Sequence, residues 1–243
     1  MISDYISIII PCFNEERRIL ETLKTLFSFC KSNFEQFEII VVDDGSTDPT
    51  WTIVNSLHDC PFFHVMRNAE NKGKGYAVRE GMLAARGHYR FFTDADIPYG
   101  TEFFLKALKR LRNPKCDMVI GSRDLPESWV QARVRWIRKI SSRLFSVIVN
   151  IFLHIHIKDS QCGFKGFTAK SAHQIFSHLT IDGFAFDVEI FILAKELGLS
   201  IEKLPVTLIT NQHSKVRLTS DPFRMIIDIL KLSWRQWNSR IFR

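Results

Sequence analysis

The stretch Tyr89 to Gly100, YRFFTDADIPYG, decides how this chain is read. Tyr89 to Thr93 is a short run of aromatic and β-prone residues, the composition of a buried strand. Asp94 and Asp96 follow with only Ala95 between them. In extended chain, side chains two apart point to one face, so the two carboxylates are expected side by side. Carboxylates that close repel unless a proton or a cation separates them. An all-oxygen donor set at a strand end suits Mg²⁺ or Mn²⁺, ions that keep waters and grip substrate phosphates. Taken alone, the pattern equally fits a surface turn with two acids, and its neighbours must decide.

Working back to the start, Ile6 to Ile10 is a β-branched run halted at Pro11, the pattern of a buried strand. Cys12-Phe13-Asn14-Glu15 is the loop after it. Asn14 is expected to cap a helix running to about Lys31, with Ile19, Leu20, Leu23, Leu26 and Phe27 facing inward. Phe37 to Val42 is apolar throughout, as in a parallel strand covered on both faces. It ends in Asp43-Asp44-Gly45-Ser46-Thr47-Asp48, where Ser46 or Thr47 is expected to cap a helix carrying Trp51, Val54 and Leu57. Phe62 to Met66 reads as a third strand. The segment from Asn68 to Gly87 sets Lys72 and Lys74 beside Gly73 and Gly75, ahead of a helix over Tyr76 to Arg86. A Gly/Lys loop feeding a helix N-terminus is a natural anion site. The GxxxxGK[ST] and GxGxxG spacings are both missing, so an ordinary basic turn is the alternative.

After the central stretch come a helix over Thr101 to Arg112 and a strand over Asp117 to Ile120, ending in Gly121-Ser122-Arg123. Strand and helix alternate with short links, the pattern of an α/β fold with a parallel sheet and right-handed crossovers. Ligands of such sheets lie beyond the carboxyl ends of the strands. Pro11 to Glu15, Asp43-Asp44, the Asp94/Asp96 pair and Arg123 all stand at such ends and are expected to meet in one crevice.

The chain has 243 residues, enough for one large domain, and 46% of them are hydrophobic, with 21 Phe, which argues against disorder. A formal charge of +7 points to an anionic partner, phosphates or an acidic membrane surface. No zinc-finger spacing or RNA-recognition signature supports nucleic acid as that partner. The five cysteines are scattered and lack a CxxC, as in reduced thiols facing the cytosol. Asp4 and Pro11 interrupt any apolar core near the start, so no signal peptide is expected. The longest apolar run, Leu144 to Ile157, contains Asn150, His154 and His156 and falls short of the roughly 20 residues a spanning helix needs.

Two stretches read as basic amphipathic helices. Over Arg135 to Ile151, Arg135, Arg138, Lys139 and Ser142 fall on one side, and Ile137, Ile140, Leu144, Val147 and Ile151 on the other. Toward the C-terminus, Phe223, Ile226, Ile227, Leu230, Trp234, Trp237 and Ile241 form a stripe beside Arg224, Lys231 and Arg235. Such helices lie in a membrane interface or cover a sheet core, and membrane contact is expected for at least one of them. The expected location is peripheral, at the cytoplasmic face of a membrane.

The clusters SIIIPCFNEE, IIVVDDGSTD, NKGKGYAVREG and FFTDADIP, in that order, resemble the inverting family 2 glycosyltransferases with a GT-A fold, and the resemblance covers nearly the whole chain. Gly121-Ser122-Arg123, DSQCGFKGF (Asp159 to Phe167), GFAFDVEI (Gly183 to Ile190) and HSKVR (His213 to Arg217) look most like the polyprenyl-phosphate branch, dolichyl-phosphate glucosyltransferases above all, with the mannosyltransferases as near neighbours. The resemblance implies one GT-A domain over 1–243, with a mostly parallel sheet flanked by helices and interface helices near 131–157 and 219–243. It implies metal-dependent, inverting transfer of glucose from UDP-glucose to a polyprenyl phosphate. GDP-mannose as donor, a glycan hydroxyl as acceptor, and a non-catalytic nucleotide-sugar-binding scaffold at a membrane are the alternatives. The intact Asp94/Asp96 pair and Arg123 argue against the last.

The resemblance also implies roles. Pro11, Phe13, Glu15 and Asp43 would hold base and ribose, with Asp44 beside them, and Lys72 and Gly73 would line the uracil side. Asp94 would contact ribose or metal and Asp96 metal and diphosphate, with Ala95 between them on the donor side. Arg123, Arg138, Ser142 and Lys215 would receive the lipid phosphate. Asp159, Gln161, Asp187 and Glu189 are candidates near the acceptor, and all but Glu189 join Asp96 as catalytic candidates. Asp187 is the most base-like, and a helix N-terminal acid is the even alternative. His213 is a weaker candidate for a metal or diphosphate ligand. Pro98 stands where the mannosyl branch often has a Gln as an extra metal ligand, so fewer protein ligands are expected here. The Gln-x-x-Arg-Trp of processive synthases is absent; Trp234-Arg235-Gln236-Trp237 has the letters in another order.

The acceptor decides whether a base is needed. A sugar hydroxyl holds its proton at pH 7 and needs a carboxylate beside it. A phosphate monoester, with a second pKa of about 6, is largely dianionic and needs cationic alignment instead.

Overall fold

The computed structural model describes residues 1–123, 125–130, 162–209 and 221–241, apart from the side chains of 129–130, 221–224 and 236–241. Its strands are β1 (Ile2–Cys12), β2 (Phe34–Asp43), β3 (Phe63–Arg67), β4 (Tyr89–Thr93), β5 (Met118–Ser122), β6 (Trp129–Val130), β7 (Phe164–Thr168), β8 (Ile201–Pro205) and β9 (Thr207–Leu208). The helices are α1 (Ile19–Asn33), α2 (Thr50–Asn55), α3 (Lys74–Ala84), α4 (Glu102–Leu111), α5 (Ala169–Phe176), α6 (Phe186–Glu196) and α7 (Asp221–Ile241). Seven strands form one sheet in the order β3-β2-β1-β4-β7-β5-β8, and β6 pairs with β9 apart from it.

The continuous apolar strands are explained by two cores, one on each face. Ile8, Ile10, Ile39, Val41 and Phe91 pack toward Leu23 and Leu26 of α1 and Phe104 and Leu108 of α4. Ile9, Ile40, Val42 and Phe92 pack the other way, toward Val78 and Met82 of α3 and residues of α5 and α6. Successive strand residues therefore serve opposite layers, and neither face reaches water.

β4 has the bounds its composition predicts. β7 carries no such signal. It runs antiparallel between β4 and β5, pairing Thr93 with Phe164 and Ile120 with Lys165, in a sheet otherwise parallel. Its reversed direction brings Gly163 and Lys165 to the rim where β4 and β5 end.

Three local expectations are corrected. Asn14 does not cap α1, which follows Arg18. It sits at φ 53°, and its Oδ1 accepts from the N–H groups of Thr47 (2.8 Å) and Asp48 (3.3 Å). Neither Ser46 nor Thr47 caps α2; Ser46 Oγ accepts from Asn14 N–H at 2.9 Å, and Asp48 Oδ1 accepts from Thr50 N–H at 2.9 Å. Parallel pairing lays the loops after β1 and β2 side by side, so their short polar side chains find donors across the gap before those of their own helices. Asp94 and Asp96 stand on a turn rather than on extended chain: Ile97 N–H closes onto Asp94 O at 3.0 Å, and Ile97 has φ 40°.

α7 buries Met225, Ile229 and Leu232 in the core and exposes Ile226, Ile227, Leu230 and Trp234, the last at 66%. The members of the expected stripe whose side chains are described are thus exposed, while a different face of the helix packs on the core. Among the described residues, no helix is long and apolar enough to cross a membrane.

Candidate active site

The chain runs outward from β1 to β3 and returns on the far side of β1 as β4. The crevice opened by that reversal is where α/β sheets hold ligands. β1, β2 and β3 end level there, with Cys12 beside Asp43 and Asp43 beside Arg67.

A connected set of charges follows the rim. Arg18 clasps Glu15 through Nε and Nη2, the latter at 2.9 Å, and brings Nη1 to 3.6 Å from Asp96. Glu15 is buried, and its N–H donates to Thr50 Oγ1 at 2.7 Å. Burial and the charge of Asp94 push the Asp96 carboxyl up to about 6 against the pull of Arg18. On the other side of the turn, Lys74 Nζ lies 2.6 Å from Asp94 Oδ1. Ala95 is buried, and its carbonyl accepts from Thr22 Oγ1 at 2.6 Å, which ties the turn to α1.

Asp44 shapes the Gly/Lys loop. Its carboxylate accepts from Asn68 Nδ2 (2.7 Å), Lys72 N–H (3.0 Å) and Gly73 N–H (2.8 Å). Gly73 has φ 113°, and a Cβ there would collide with the Asp182 carbonyl, so the loop requires glycine. α3 begins at Lys74, which places that side chain in the first helical turn. Lys72 Nζ lies 4.4 Å from the centre of the Tyr76 ring.

Asp43 is fully buried, with Arg67 Nε at 3.4 Å from Oδ2, and burial raises its pKa. Its Oδ1 has no hydrogen-bond partner among the described residues. Pro11 is buried and Phe13 half-buried at the β1 end of the same rim.

Behind Asp94 lies a buried ion pair. Lys165 Nζ bonds Asp187 Oδ1 at 2.6 Å and the Cys162 carbonyl at 2.9 Å. Asp187 lies in the first turn of α6. Burial raises its pKa, while Lys165 and then Lys74 hold it down. Gly163 passes so close to Asp94 that an added Cβ would strike the carboxylate. Arg123 is half-buried after β5, and its charge reaches the buried Tyr99 hydroxyl.

Arg138, Ser142, Asp159, Gln161, His213 and Lys215 lie outside the described residues, as does the stretch 131–157. Arg18 and Lys165 are not among the residues the sequence singled out, and Lys74 is there only as part of the Gly/Lys anion loop. Arg18 stands three residues after Glu15 and Lys74 inside the quoted Gly/Lys motif, so a signal existed for both. Lys165 had only its place in DSQCGFKGF. Among the described residues, no group of three or more His, Cys, Asp and Glu gathers to hold a metal ion.

The model of Glycosyl transferase family 2 matches residues 7–176. A dolichyl-phosphate beta-glucosyltransferase of Saccharomyces cerevisiae is 34% identical over 244 residues, which cover 93% of this chain and 73% of the relative. That of Dictyostelium discoideum is 34% identical over 243 residues, covering 95% and 74%. Among solved structures, glucosyl-3-phosphoglycerate synthase from Mycobacterium tuberculosis, in complex with Mn²⁺, UDP and glucosyl-3-phosphoglycerate, superposes with a TM-score of 0.69 at 18% identity, over 95% of this chain and 80% of that one. The same synthase has been solved with Mg²⁺ and UDP. At that identity the likeness is one of fold, the GT-A glycosyltransferase architecture.

Proposed function

This chain belongs to glycosyl transferase family 2 and is a glycosyltransferase, and on that premise we propose that it transfers glucose from UDP-glucose to a dolichyl-type polyprenyl phosphate, with inversion. The donor and acceptor classes follow the relatives' names and the UDP-bound structural neighbour. The observation that carries the reading is the acidic turn at the sheet's reversal point, with Lys74 on Asp94 and Arg18 beside Asp96.

The turn fits Mg²⁺ or Mn²⁺. Two oxygen-donor carboxylates share it, and burial together with the charge of Asp94 raises the Asp96 pKa, which a bound cation would offset. Asp94 and Asp96 would hold the ion, and its contribution when bound is to neutralise charge growing on the departing diphosphate. Arg18 keeps Asp96 and Glu15 in register. The unpartnered Asp43 Oδ1 suits a nucleoside N–H or O–H donor, since a buried acceptor left unpaired is costly. Asp44 holds Lys72 and Gly73 where the base would lie.

The acceptor phosphate arrives ionised and attacks without giving up a proton. Cationic alignment falls to Arg123, with Arg138, Ser142 and Lys215 as the other phosphate contacts. Asp159 and Gln161 complete the acceptor side. Asp187, engaged by Lys165, serves as an anchor of the site rather than as a base. Attack opposite the leaving diphosphate turns an α-linked donor into a β-linked product. Residues 1–243 act as one GT-A domain, peripheral at the cytoplasmic face, with the exposed Ile226, Ile227, Leu230 and Trp234 of α7 entering the interface.

The test offers the purified chain radiolabelled UDP-glucose or GDP-mannose, with Mg²⁺ or Mn²⁺, and dolichyl phosphate or a free sugar. Label is expected to pass from UDP-glucose into the lipid phosphate. Label entering only the free sugar, or coming only from GDP-mannose, would defeat the assignment.

A further inference from the structure

We propose that Lys74 is a built-in counter-cation that keeps a divalent ion out of the acidic turn until a nucleotide diphosphate arrives, so that metal binding depends on nucleotide. The inference rests on reading Asp94 and Asp96 as the metal and donor site.

Four side chains alternate in charge from the interior to the rim: Lys165, Asp187, Lys74 and Asp94. Lys165 is fully buried, 2.6 Å from Asp187, and Lys74 is 2.6 Å from Asp94 Oδ1. The Lys74 ammonium sits directly on the Asp94 carboxylate, with both side chains only partly exposed. An ion seeking Asp94 therefore meets a positive charge already seated on the carboxylate. Like charges that close repel strongly where water is scarce.

The acidic turn is poorly equipped to win that competition alone. The described residues offer no cluster of three or more metal-ligating acids, histidines or cysteines, so the remaining ligands must come from elsewhere. A diphosphate supplies them and also gives Lys74 a new anionic partner. Lys74 opens the eleven-residue helix α3, and its four-carbon stem lets the ammonium swing from carboxylate to phosphate. Metal and nucleotide would thus bind cooperatively through one side chain.

The experiment measures Mn²⁺ binding to the full chain by loss of the free-ion electron paramagnetic resonance signal, with and without UDP. Wild type is expected to bind Mn²⁺ roughly 10-fold more tightly with UDP than without. Without UDP, Lys74→Met is expected to bind Mn²⁺ about 10-fold more tightly than wild type, and UDP then adds little. Lys74→Arg keeps the cation and should match wild type. Lys74→Gln, which keeps most of the stem, should match Lys74→Met and serves if that variant fails to fold. Neutral variants no tighter than wild type without UDP, or an arginine variant as tight as the neutral ones, would overturn the proposal. A wild type that binds Mn²⁺ and UDP in this pattern yet moves no glucose to lipid phosphate would defeat the assigned reaction alone.

Discussion

One guanidinium joins two loops of the rim: Arg18 grips Glu15 with two nitrogens and turns a third to within 3.6 Å of Asp96. Arg18→Met would leave Glu15 buried without its cation and remove the guanidinium beside Asp96. Both side chains of the Arg18–Glu15 pair keep some exposure, so the expected stability loss is about 1–3 kcal/mol, less than for a sealed pair. Turnover is expected to fall roughly 10- to 100-fold, with a higher KM for the donor, because the acidic turn loses its orientation. Arg18→Lys, a point charge without the fork, should recover only part of this. Urea denaturation and steady-state kinetics check both.

Gly163 and Asp94 make a second test. A methyl group at 163 would collide with the Asp94 carboxylate. The Gly163→Ala variant is expected to push that carboxylate aside and lower kcat roughly 100-fold, the scale of an ångström's misplacement. Its unfolding midpoint should move far less than its rate. A fully active Gly163→Ala enzyme would show that Asp94 has freedom the structure does not give it.

The Lys165–Asp187 pair is sealed under the sheet. Removing one partner leaves a buried charge, so Lys165→Met is expected to cost about 3–5 kcal/mol. Adding Asp187→Asn removes the stranded charge and should recover a good part of that loss. Chemical denaturation of the two single variants and the double variant gives the coupling directly, and simple additivity would argue that the two residues do not interact.

What the sequence made legible, and what it hid, follows from the range of the forces involved. Tyr89 to Thr93 was readable because aromatic residues between a glycine and an acid mark a strand by themselves. Ile6 to Ile10 and Phe37 to Val42 were readable because strands covered on both faces are apolar throughout. β7 was not, because FKGFT has no alternation and its place between β4 and β5 is fixed by contacts far away in sequence. Its Lys165 went unnoticed for the same reason: a lone lysine announces nothing until Asp187 is opposite it. Asn14, Ser46 and Thr47 were recognised as loop-forming but given the wrong partners, since a single chain cannot show which loops lie side by side. The acidic pair was found by type and spacing, while the turn that presents it depends on the Ile97 backbone.

α7 offers a surface test. Leu230 and Trp234 are exposed at 47% and 66%, so Leu230→Glu and Trp234→Glu together should leave the fold intact. Sedimentation of the full chain with anionic liposomes is expected to fall severalfold in the double variant, since apolar insertion and charge attraction act together. Undiminished sedimentation would remove this face of the helix from the membrane contact.

The account stands or falls with the acidic turn, and the most direct measurement is glucosyl transfer by Asp96→Asn at saturating UDP-glucose, dolichyl phosphate and Mn²⁺. The substitution keeps shape and removes charge. The expected result is a kcat lower by roughly 10³-fold with the unfolding midpoint retained. A folded Asp96→Asn enzyme working at the wild-type rate would contradict the account.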